Sequence, residues 1–337
     1  MPADQFLTKR NTRKFVNYHQ TLDEPISGVW TINNSVPERS ALSRMRETAA
    51  RIQALIQHAT TQQKRLRAIG RKWSFSEIPL PDNGWVLQTD RLNYTFFVTS
   101  TVNLDPGYTG NADELFLAQC GTEISEINRK LETKTKRRAL RTSGASNGQT
   151  IAGAMGTGTH GSAIDVGAIQ SQVCGIQLLT GGQNLWIEDP SDPVMNDVFA
   201  QKLGASLIRD TQLFQAAMVS LGGLGVIHSV MLRTTGRYKL ESFRRPMRFS
   251  EVKRAINTLD FTGLALPKPN ERPYFFQVVV DPDRGQDSAF ITTRYKATYP
   301  LNDEPKYEQT TGHGMHNDLP GVVGKFIDIL SLSLIHI

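Results

Sequence analysis

Cysteine is scarce in this chain, and its few metal-binding side chains are scattered. The two cysteines, Cys120 and Cys174, lie far apart in the sequence. They could form one disulfide, but two buried free thiols are the favoured prediction, because free cysteine is among the most buried residue types. The seven histidines do not cluster with the cysteines. This excludes the ligand spacing of a structural zinc site, and we predict that no metal is bound.

Long apolar runs are also missing. A transmembrane helix needs roughly 18 or more consecutive apolar residues, and the sequence has no such run, so we predict no membrane span. Residues 1–18 are polar and basic and lack the apolar stretch of a signal peptide. From these absences we expect a soluble protein that acts in the cytoplasm.

The formal net charge is +6, which raises the question of nucleic acid as a partner. The one dense basic group consists of Arg129, Lys130, Lys134, Lys136, Arg137, Arg138 and Arg141. It follows an apolar helical stripe and contains few aromatic residues, whereas nucleic-acid patches usually include aromatic stacking platforms. A solvated helix end and turn is therefore the favoured interpretation, and nucleic-acid binding is disfavoured as the function.

Hydrophobic periodicity predicts an α+β chain whose character changes after residue 236. The predicted strands span residues 15–19, 65–69, 85–88, 115–119, 173–180, 185–187, 226–232, 274–281 and 289–295. A helix is predicted to begin at Ser35, with Glu38 completing its capping box, and to run through the apolar stripe of residues 42–56. Shorter helices are predicted after Thr122, over 214–219 and over 249–259.

Residues 144–161, GASNGQTIAGAMGTGTHG, form the most informative segment. Small residues let the backbone approach a ligand, and exposed N–H groups bind phosphate and carbonyl oxygens. A flexible linker is disfavoured because Ile151 and Met155 supply apolar anchors. The letters G-x-G-x-x-G at 156–161 do not indicate a Rossmann site, because a small-residue loop precedes them and the next strand ends without an acid.

A second turn with ligand-binding character follows the strand at 65–69. Residues 70–76, GRKWSFS, combine a glycine, two cations and hydroxyl groups, which suits a pyrophosphate. Two separate phosphate-binding loops favour a long dinucleotide, and we predict FAD rather than FMN or NAD.

Four motifs in this order resemble the flavoprotein superfamily of vanillyl-alcohol oxidase, and within it the aldonolactone oxidases. The turn at 70–75 corresponds to G-x-G-H-S-F/W, and Gly121-Thr122 opens a strand-to-helix junction. Residues 150–161 match T-I/V-A/G-G-A/M-I/M-x-T/V-G-T/A-H-G, and residues 220–227, SLGGLGVI, match a later turn. The resemblance covers residues 24–236.

The resemblance implies a two-subdomain PCMH-type FAD-binding domain over residues 24–236. An N-terminal extension (1–23) precedes it, and part of an α+β substrate (cap) domain (237–337) follows. The residues that it places at FAD are Gly70, Arg71, Lys72, Trp73, Ser74, Phe75, Gly144, Ala145, Ser146, Gln149, Thr150, Gly153, Ala154, Gly156, Thr157, Gly158, Thr159, His160, Gly161, Gly225, Val226 and Ile227. For His160, hydrogen bonding that orders the glycine loop is favoured over a catalytic role. The catalytic residues are unknown.

The implied activity is that of an FAD-dependent oxidoreductase. A small-molecule alcohol, sugar or aldonolactone, of the kind that D-arabinono-1,4-lactone and L-gulonolactone oxidases use, would give a hydride to FAD. Oxygen or another acceptor would then reoxidise the flavin. A non-catalytic flavin-binding fragment is the alternative, because apolar residues 326–337 make an unusual domain end and the family's late H-W-x-K-like segment is absent. In such a fragment the strands at 274–281 and 289–295 would lack partners, which predicts aggregation.

Two departures from the family's early turn bear on how FAD is attached. Many relatives link FAD to the histidine of G-x-G-H-S, and Trp73 stands at that position. An indole nitrogen only donates hydrogen bonds, so we predict non-covalent FAD. Lys72 replaces the second glycine, which either adds a cation near the pyrophosphate or means that the backbone there avoids positive φ.

Overall fold

A computed structural model describes residues 6–35, 40–133, 135–144, 146–280 and 287–299. Its strands are β1 (Leu7–Arg10), β2 (Lys14–Val16), β3 (Asp23–Pro25), β4 (Gly28–Asn33), β5 (Leu66–Ile69), β6 (Trp85–Arg91), β7 (Thr95–Phe97), β8 (Leu115–Gln119), β9 (Arg138–Ala139), β10 (Val173–Leu179), β11 (Asn184–Glu188), β12 (Ser206–Arg209), β13 (Val226–Arg233), β14 (Thr235–Gly236), β15 (Tyr238–Arg248), β16 (Phe275–Val280) and β17 (Ser288–Thr298). Its α-helices are α1 (Ala41–Thr61), α2 (Ile124–Leu131), α3 (Ile151–Gly156), α4 (Asp197–Lys202), α5 (Thr211–Met218) and α6 (Phe249–Thr258). The α+β fold class is confirmed.

The first sheet has the strand order β1-β4-β6-β5. β6 runs parallel to both β4 and β5, and β1 closes the other edge in the antiparallel direction. Parallel neighbours need a crossover, and α1 connects β4 to β5. The end of β5 therefore opens into the turn that the sequence predicts to meet a pyrophosphate.

Helix α1 lies between the first sheet and a second one. Ala49, Ile52 and Leu55 are fully buried, and they share one core cluster with Trp30 of the first sheet and Leu179 of the second. The predicted apolar stripe is confirmed. The predicted start of α1 at Ser35 is wrong. The side chain of Ser40 caps the helix instead, by accepting a hydrogen bond from the backbone N–H of Ser43.

The second sheet has the order β12-β11-β10-β13-β8-β7. Only β11 and β12 of its neighbouring strands run parallel. Helices α2, α3 and α5 pack on it in one core cluster, to which Ile127, Met155 and Phe214 contribute. The segment before Gly156 was predicted as a loop, but it folds as the short helix α3, because Ile151 and Met155 are both buried against this sheet.

A third, antiparallel sheet has the order β15-β17-β16 and packs against α6 around Val252, Leu266, Ala289 and Ile291. The prediction that the strands at 274–281 and 289–295 lack partners is wrong, since β17 pairs with β15 on one side and β16 on the other. The predicted domain boundary after residue 236 falls between β14 and β15 and stays a prediction. Residues 326–337 lie outside the described residues.

The third sheet connects to the end of the glycine segment. Phe275, the first residue of β16, forms an isolated β-bridge with Ala163. The N–H of Phe276 donates to the carbonyl oxygen of Ser162 at 3.3 Å. Residues 162–163 follow Gly161 directly, so the third sheet begins beside the segment that the family places along the flavin.

Several smaller predictions can be compared with the structure. Cys120 and Cys174 are free and buried, as predicted. In the part of the chain that the structure describes, no helix combines the length and apolar character needed to cross a membrane. The same part contains no cluster of three or more His, Cys, Asp or Glu side chains arranged to hold a metal.

Three residues of the dense basic group are paired with neighbouring acids. Ion pairs join Lys130 to Glu126 at 3.0 Å, Lys136 to Asp113 at 3.5 Å and Arg138 to Glu114 at 3.4 Å. Lys134 lies outside the described residues. These pairs agree with the interpretation of this group as a solvated helix end and turn.

Candidate cofactor site

A cavity of about 520 Å³ lies where the first sheet, the second sheet and α3 meet. Most of its wall comes from three segments, at 67–79, 146–159 and 221–227. The first continues β5, the second includes α3, and the third leads into β13. Parts of the chain that are far apart in sequence thus surround one space.

The structure brings most of the predicted FAD residues to this cavity. Sixteen of them line it: Gly70, Arg71, Lys72, Trp73, Ser74, Phe75, Ser146, Gln149, Thr150, Gly153, Ala154, Gly156, Thr157, Thr159, Gly225 and Ile227. Gly144, Gly158, His160, Gly161 and Val226 are not among the lining residues. Ala145 lies outside the described residues.

The turn after β5 approaches the start of α3 very closely at Gly70. A Cβ atom at this position would lie 2.1 Å from Oγ1 of Thr150. Thr150 is the residue at the N-cap of α3, so the absence of a side chain at Gly70 lets the two loops meet. This contact joins the two predicted phosphate-binding segments into one wall.

Lys72 adopts a left-handed backbone conformation with φ of +61°. The suggestion that lysine at the family's glycine position avoids positive φ is therefore wrong. The backbone keeps the glycine-like conformation, and its side chain extends towards Phe15, with Nζ 5.7 Å from the ring centroid. The turn thus preserves its shape at a conformational cost of roughly 1 kcal/mol.

Aromatic residues of the N-terminal segment pack against this turn. The N–H of Tyr18 donates to the carbonyl oxygen of Lys72 at 2.9 Å. Its ring stacks on Trp73, with centroids 4.6 Å apart, and the ring of His19 stacks on Phe75 at 4.2 Å. Trp73 is consequently held in place by packing at the position where the family has its attachment histidine.

The glycine segment is fixed to α2 and leaves open space at Gly156. The N–H of Ile151 donates to the carbonyl oxygen of Thr122 at 2.8 Å, which ties α3 to the start of α2. A Cβ atom at Gly153 would meet only Oγ1 of Thr150, at 3.1 Å, and a Cβ atom at Gly156 would meet nothing within 4 Å. Side chains there would enter the cavity instead of the protein core.

The third segment approaches β10 at Gly225. This glycine has φ of +148°, and a Cβ atom on it would lie 2.5 Å from the carbonyl oxygen of Leu179. Its neighbour in the wall, Leu221, accepts a 2.6 Å hydrogen bond from Nη1 of Arg67 in β5. Arg67 thereby connects the first sheet to the turn that precedes β13.

The cavity wall carries cations and no carboxylate among its described lining residues. Arg67, Arg71 and Lys72 line it. Arg71 is already paired with carboxylates, since its Nε donates to Glu123 at 2.5 Å and its Nη1 lies 3.8 Å from Asp90. These two carboxylates, which are far from Arg71 in sequence but close in space, balance part of its charge, and its contact with a pyrophosphate stays a prediction.

Two lining residues carry polar atoms that have no partner. Nε1 of Trp73 and Oε1 of Gln149 are buried and have no hydrogen-bond partner among the described residues. Burial also raises the pKa of the lining thiol Cys120 to about 12, so that it stays protonated. Open space at Gly156, the absence of carboxylates among the described lining residues and the unpartnered donor of Trp73 fit a long anionic ligand such as FAD.

Sequence reasoning missed part of the wall. Ser76 and Ala152 lie within the two predicted loops but were not named as FAD residues, and the other lining residues that were not named are His19, Arg67, Ala68, Ile69, Ile78, Pro79, Thr89, Cys120, Leu221 and Gly222. Arg67 to Ile69 belong to a strand that was predicted, and Leu221 and Gly222 to a motif that was recognised. No signal in the sequence points to His19, which reaches the cavity only through the folding of the N-terminal segment.

Comparisons with known proteins agree with this geometry. Residues 45–185 match the family model described as FAD binding domain. The chain is 28% identical to a D-arabinono-1,4-lactone oxidase from Debaryomyces hansenii over 216 residues, covering 63% of this chain and 35% of the relative. It is 24% identical to an L-gulonolactone oxidase from Scyliorhinus torazame over 211 residues, covering 63% and 41%. The chain spans about a third of the length of the D-arabinono-1,4-lactone oxidases that it matches.

Solved structures show the same fold. A cholesterol oxidase from Brevibacterium sterolicum aligns with a TM-score of 0.57 at 12% identity, covering 89% of this chain and 50% of the oxidase. A VAO-type flavoprotein from Myceliophthora thermophila aligns with a TM-score of 0.53 at 15% identity, covering 90% and 46%.

The fold is that of the two-subdomain PCMH-type FAD-binding proteins, and the cavity lies in a region that overlaps the match to the FAD binding domain model. The resemblance drawn from the sequence motifs is confirmed: residues 45–185 match the FAD binding domain model, and the chain is similar to aldonolactone oxidases. The family match and the relatives support FAD as the cofactor.

Proposed function

We propose that this chain supplies the FAD-binding domain of an oxidoreductase that oxidises a CH–OH group of an alcohol, a sugar or an aldonolactone-type substrate. The observation that carries the proposal is the cavity of about 520 Å³, which gathers sixteen predicted FAD residues from three distant segments. Relatives named as D-arabinono-1,4-lactone and L-gulonolactone oxidases support the reaction class. FAD, when bound, supplies the hydride acceptor, and oxygen or another acceptor reoxidises it.

In this proposal the chain's own residues bind and shield the cofactor. The backbone of the turn at 70–74 and the start of the glycine segment hold its diphosphate, where Gly70 and Thr150 meet. Gly153 and Gly156 both line the cavity without a side chain, and the position at Gly156 is open and leaves room for the ligand. The aromatic side chain of Trp73, packed by Tyr18 of the N-terminal segment, helps to exclude water from this wall.

The predicted FAD residues that do not line the cavity have supporting roles in the proposal. Nδ1 of His160 lies 3.1 Å from the carbonyl oxygen of Gly161, which suits a residue that orders the loop. Val226 is buried in the core between the sheets. Gly144 has φ of +76° and Gly158 has φ of +68°, conformations that glycine adopts freely and that shape the segment.

No catalytic base is assigned among the described residues. The described lining residues include no carboxylate, and the one lining thiol stays protonated. This favours a second candidate function for the chain on its own, a flavin-binding module that does not turn over substrate. We propose a cytoplasmic location and a small-molecule substrate in both cases, and the ion pairs of the basic group speak against a nucleic-acid partner.

Anaerobic titration of the purified protein distinguishes these functions. A yellow protein whose flavin absorbance bleaches with D-arabinono-1,4-lactone, L-gulonolactone or a long-chain alcohol, and recovers in air, supports the oxidoreductase. A yellow protein that none of these compounds bleaches supports the non-catalytic module. A folded protein that stays colourless in the presence of FAD contradicts both.

A further inference from the structure

We propose that Arg67 supplies the positive charge that binds the diphosphate of the cofactor. This inference rests on the proposed function, because it assumes that FAD occupies the cavity. It assigns the role to a residue outside the turn in which sequence reasoning placed the cations.

The other two cations of the wall are engaged elsewhere. The guanidinium of Arg71 is paired with Glu123 and lies near Asp90, so part of its charge is already balanced. The ammonium group of Lys72 lies over the ring of Phe15, with Nζ 5.7 Å from the centroid. Neither group is aimed at the cavity without a competing partner.

Arg67 has a different environment. Its Nη1 donates to the carbonyl oxygen of Leu221, and no ion pair joins it to a carboxylate within the described parts of the chain. A guanidinium has five N–H donors, and this single neutral acceptor uses one of them. Arg67 lines the cavity, so its remaining N–H donors and its positive charge are available to a ligand bound there.

The position of Arg67 suits a ligand that bridges the two sheets. Arg67 lies in β5 of the first sheet, where it pairs with Val86, and its side chain reaches the turn before β13 of the second sheet. The side chain of Arg67 also lies close to Gly222, where an added Cβ atom would be 3.2 Å from Nη1 of Arg67. Arginine presents paired donors that match two phosphate oxygens, and such charge-assisted bonds are stronger than neutral ones.

The test compares two neighbouring arginines in the full chain. Arg67→Gln removes the proposed cation, and Arg65→Gln removes an equal charge from an exposed side chain that pairs with Asp82 and does not line the cavity. Dissociation constants are measured for FAD and for riboflavin, which has the flavin ring but no phosphate. Arg67→Lys keeps the charge and shows whether a cation alone is sufficient.

We expect Arg67→Gln to bind FAD about 10- to 100-fold more weakly, which corresponds to about 1.4–2.8 kcal/mol. Its affinity for riboflavin should change by less than about twofold, and Arg67→Lys should recover part of the loss for FAD. Arg65→Gln should bind both ligands like the wild type.

Two results would overturn the inference alone. Wild-type FAD affinity in a folded Arg67→Gln protein would show that the cation is not used. An equal loss for FAD and riboflavin would show that Arg67 acts only by holding Leu221. Failure of the wild-type chain to bind FAD at all is a different result, and it refutes the proposed function as well.

Discussion

Replacing Gly156 with valine should remove FAD binding while leaving the fold intact. Gly156 is the last residue of α3 and lines the cavity, and a Cβ atom there would meet no other atom within 4 Å. The added side chain has space in the protein itself. That same space is where the cofactor is proposed to lie, so the branched side chain competes directly with the ligand.

The expected magnitudes separate these two effects. Valine has a higher helix propensity than glycine by roughly 0.4 kcal/mol, so the free energy of unfolding should stay within about 0.5 kcal/mol of the wild-type value. FAD affinity should fall at least tenfold, which is about 1.4 kcal/mol. Gly153→Val should act in the same direction, with an added contact to Thr150, whose Oγ1 lies 3.1 Å from the new Cβ.

Two matched glycine variants complete the assay. At Gly182 a Cβ atom also meets nothing within 4 Å, but this residue does not line the cavity, so Gly182→Val should keep both stability and FAD affinity. Gly70→Ala should lose both, because its Cβ would lie 2.1 Å from Thr150. Urea denaturation and FAD titration are measured for all variants. Near-normal flavin content in Gly156→Val would refute the placement of the site.

Three further predictions follow from single residues. Burial lowers the pKa of His228 from 6.5 to about 3, so the unfolded chain binds a proton there below pH 6.5 while the folded chain does not. The free energy of unfolding should therefore fall on acidification through this window, by at most about 1.4 kcal/mol per pH unit, and His228→Gln should weaken this pH dependence in urea titrations; an unchanged slope would contradict the assignment. Lys72 has φ of +61°, so Lys72→Gly should raise the free energy of unfolding by roughly 0.5 kcal/mol, after the larger unfolded-state entropy of glycine is subtracted, and a destabilised variant would speak against strain at this turn. Because Trp73 cannot form a histidyl link, acid precipitation should release yellow FAD into the supernatant, whereas a washed pellet that stays yellow and yields a flavin-labelled peptide would show a covalent bond.

The parts of the site that depend on local backbone requirements could be predicted from the sequence. Gly70 and Gly225 are needed because another part of the chain approaches within 2.1 Å and 2.5 Å of their missing Cβ atoms. Only glycine fits at such positions, so these glycines appear at fixed positions in the motifs recognised in the sequence. The long apolar stripe of α1 was equally clear, since its buried residues recur at helical spacing.

Elements with weak local patterns were missed. β12 exposes both of its end residues, and β15 is half-exposed or exposed along its whole length, so neither shows an apolar run. β12 forms because β11 offers it a ladder of backbone hydrogen bonds, and β15 forms because β17 does the same. This pairing is a property of the assembled sheet and not of the short segment.

Electrostatics at the site could not be predicted from the sequence for a similar reason. Arg71 is next to Gly70 in a turn that suits a phosphate, yet Glu123, more than fifty residues away in the chain, binds its guanidinium. Arg67 lies inside a strand and belongs to no recognised phosphate-binding motif. It becomes a candidate for binding the diphosphate only because the turn at Leu221 folds next to it. Tertiary contacts decide which cation remains available.

The most direct test of the central claim is the identity and amount of the released cofactor. The full chain is purified, its folding is checked by circular dichroism, and the protein is precipitated with acid after incubation with FAD and removal of the excess. Chromatography of the supernatant should show FAD in an amount equimolar with the chain. Recovery of FMN, or of no flavin from folded protein, would contradict the account.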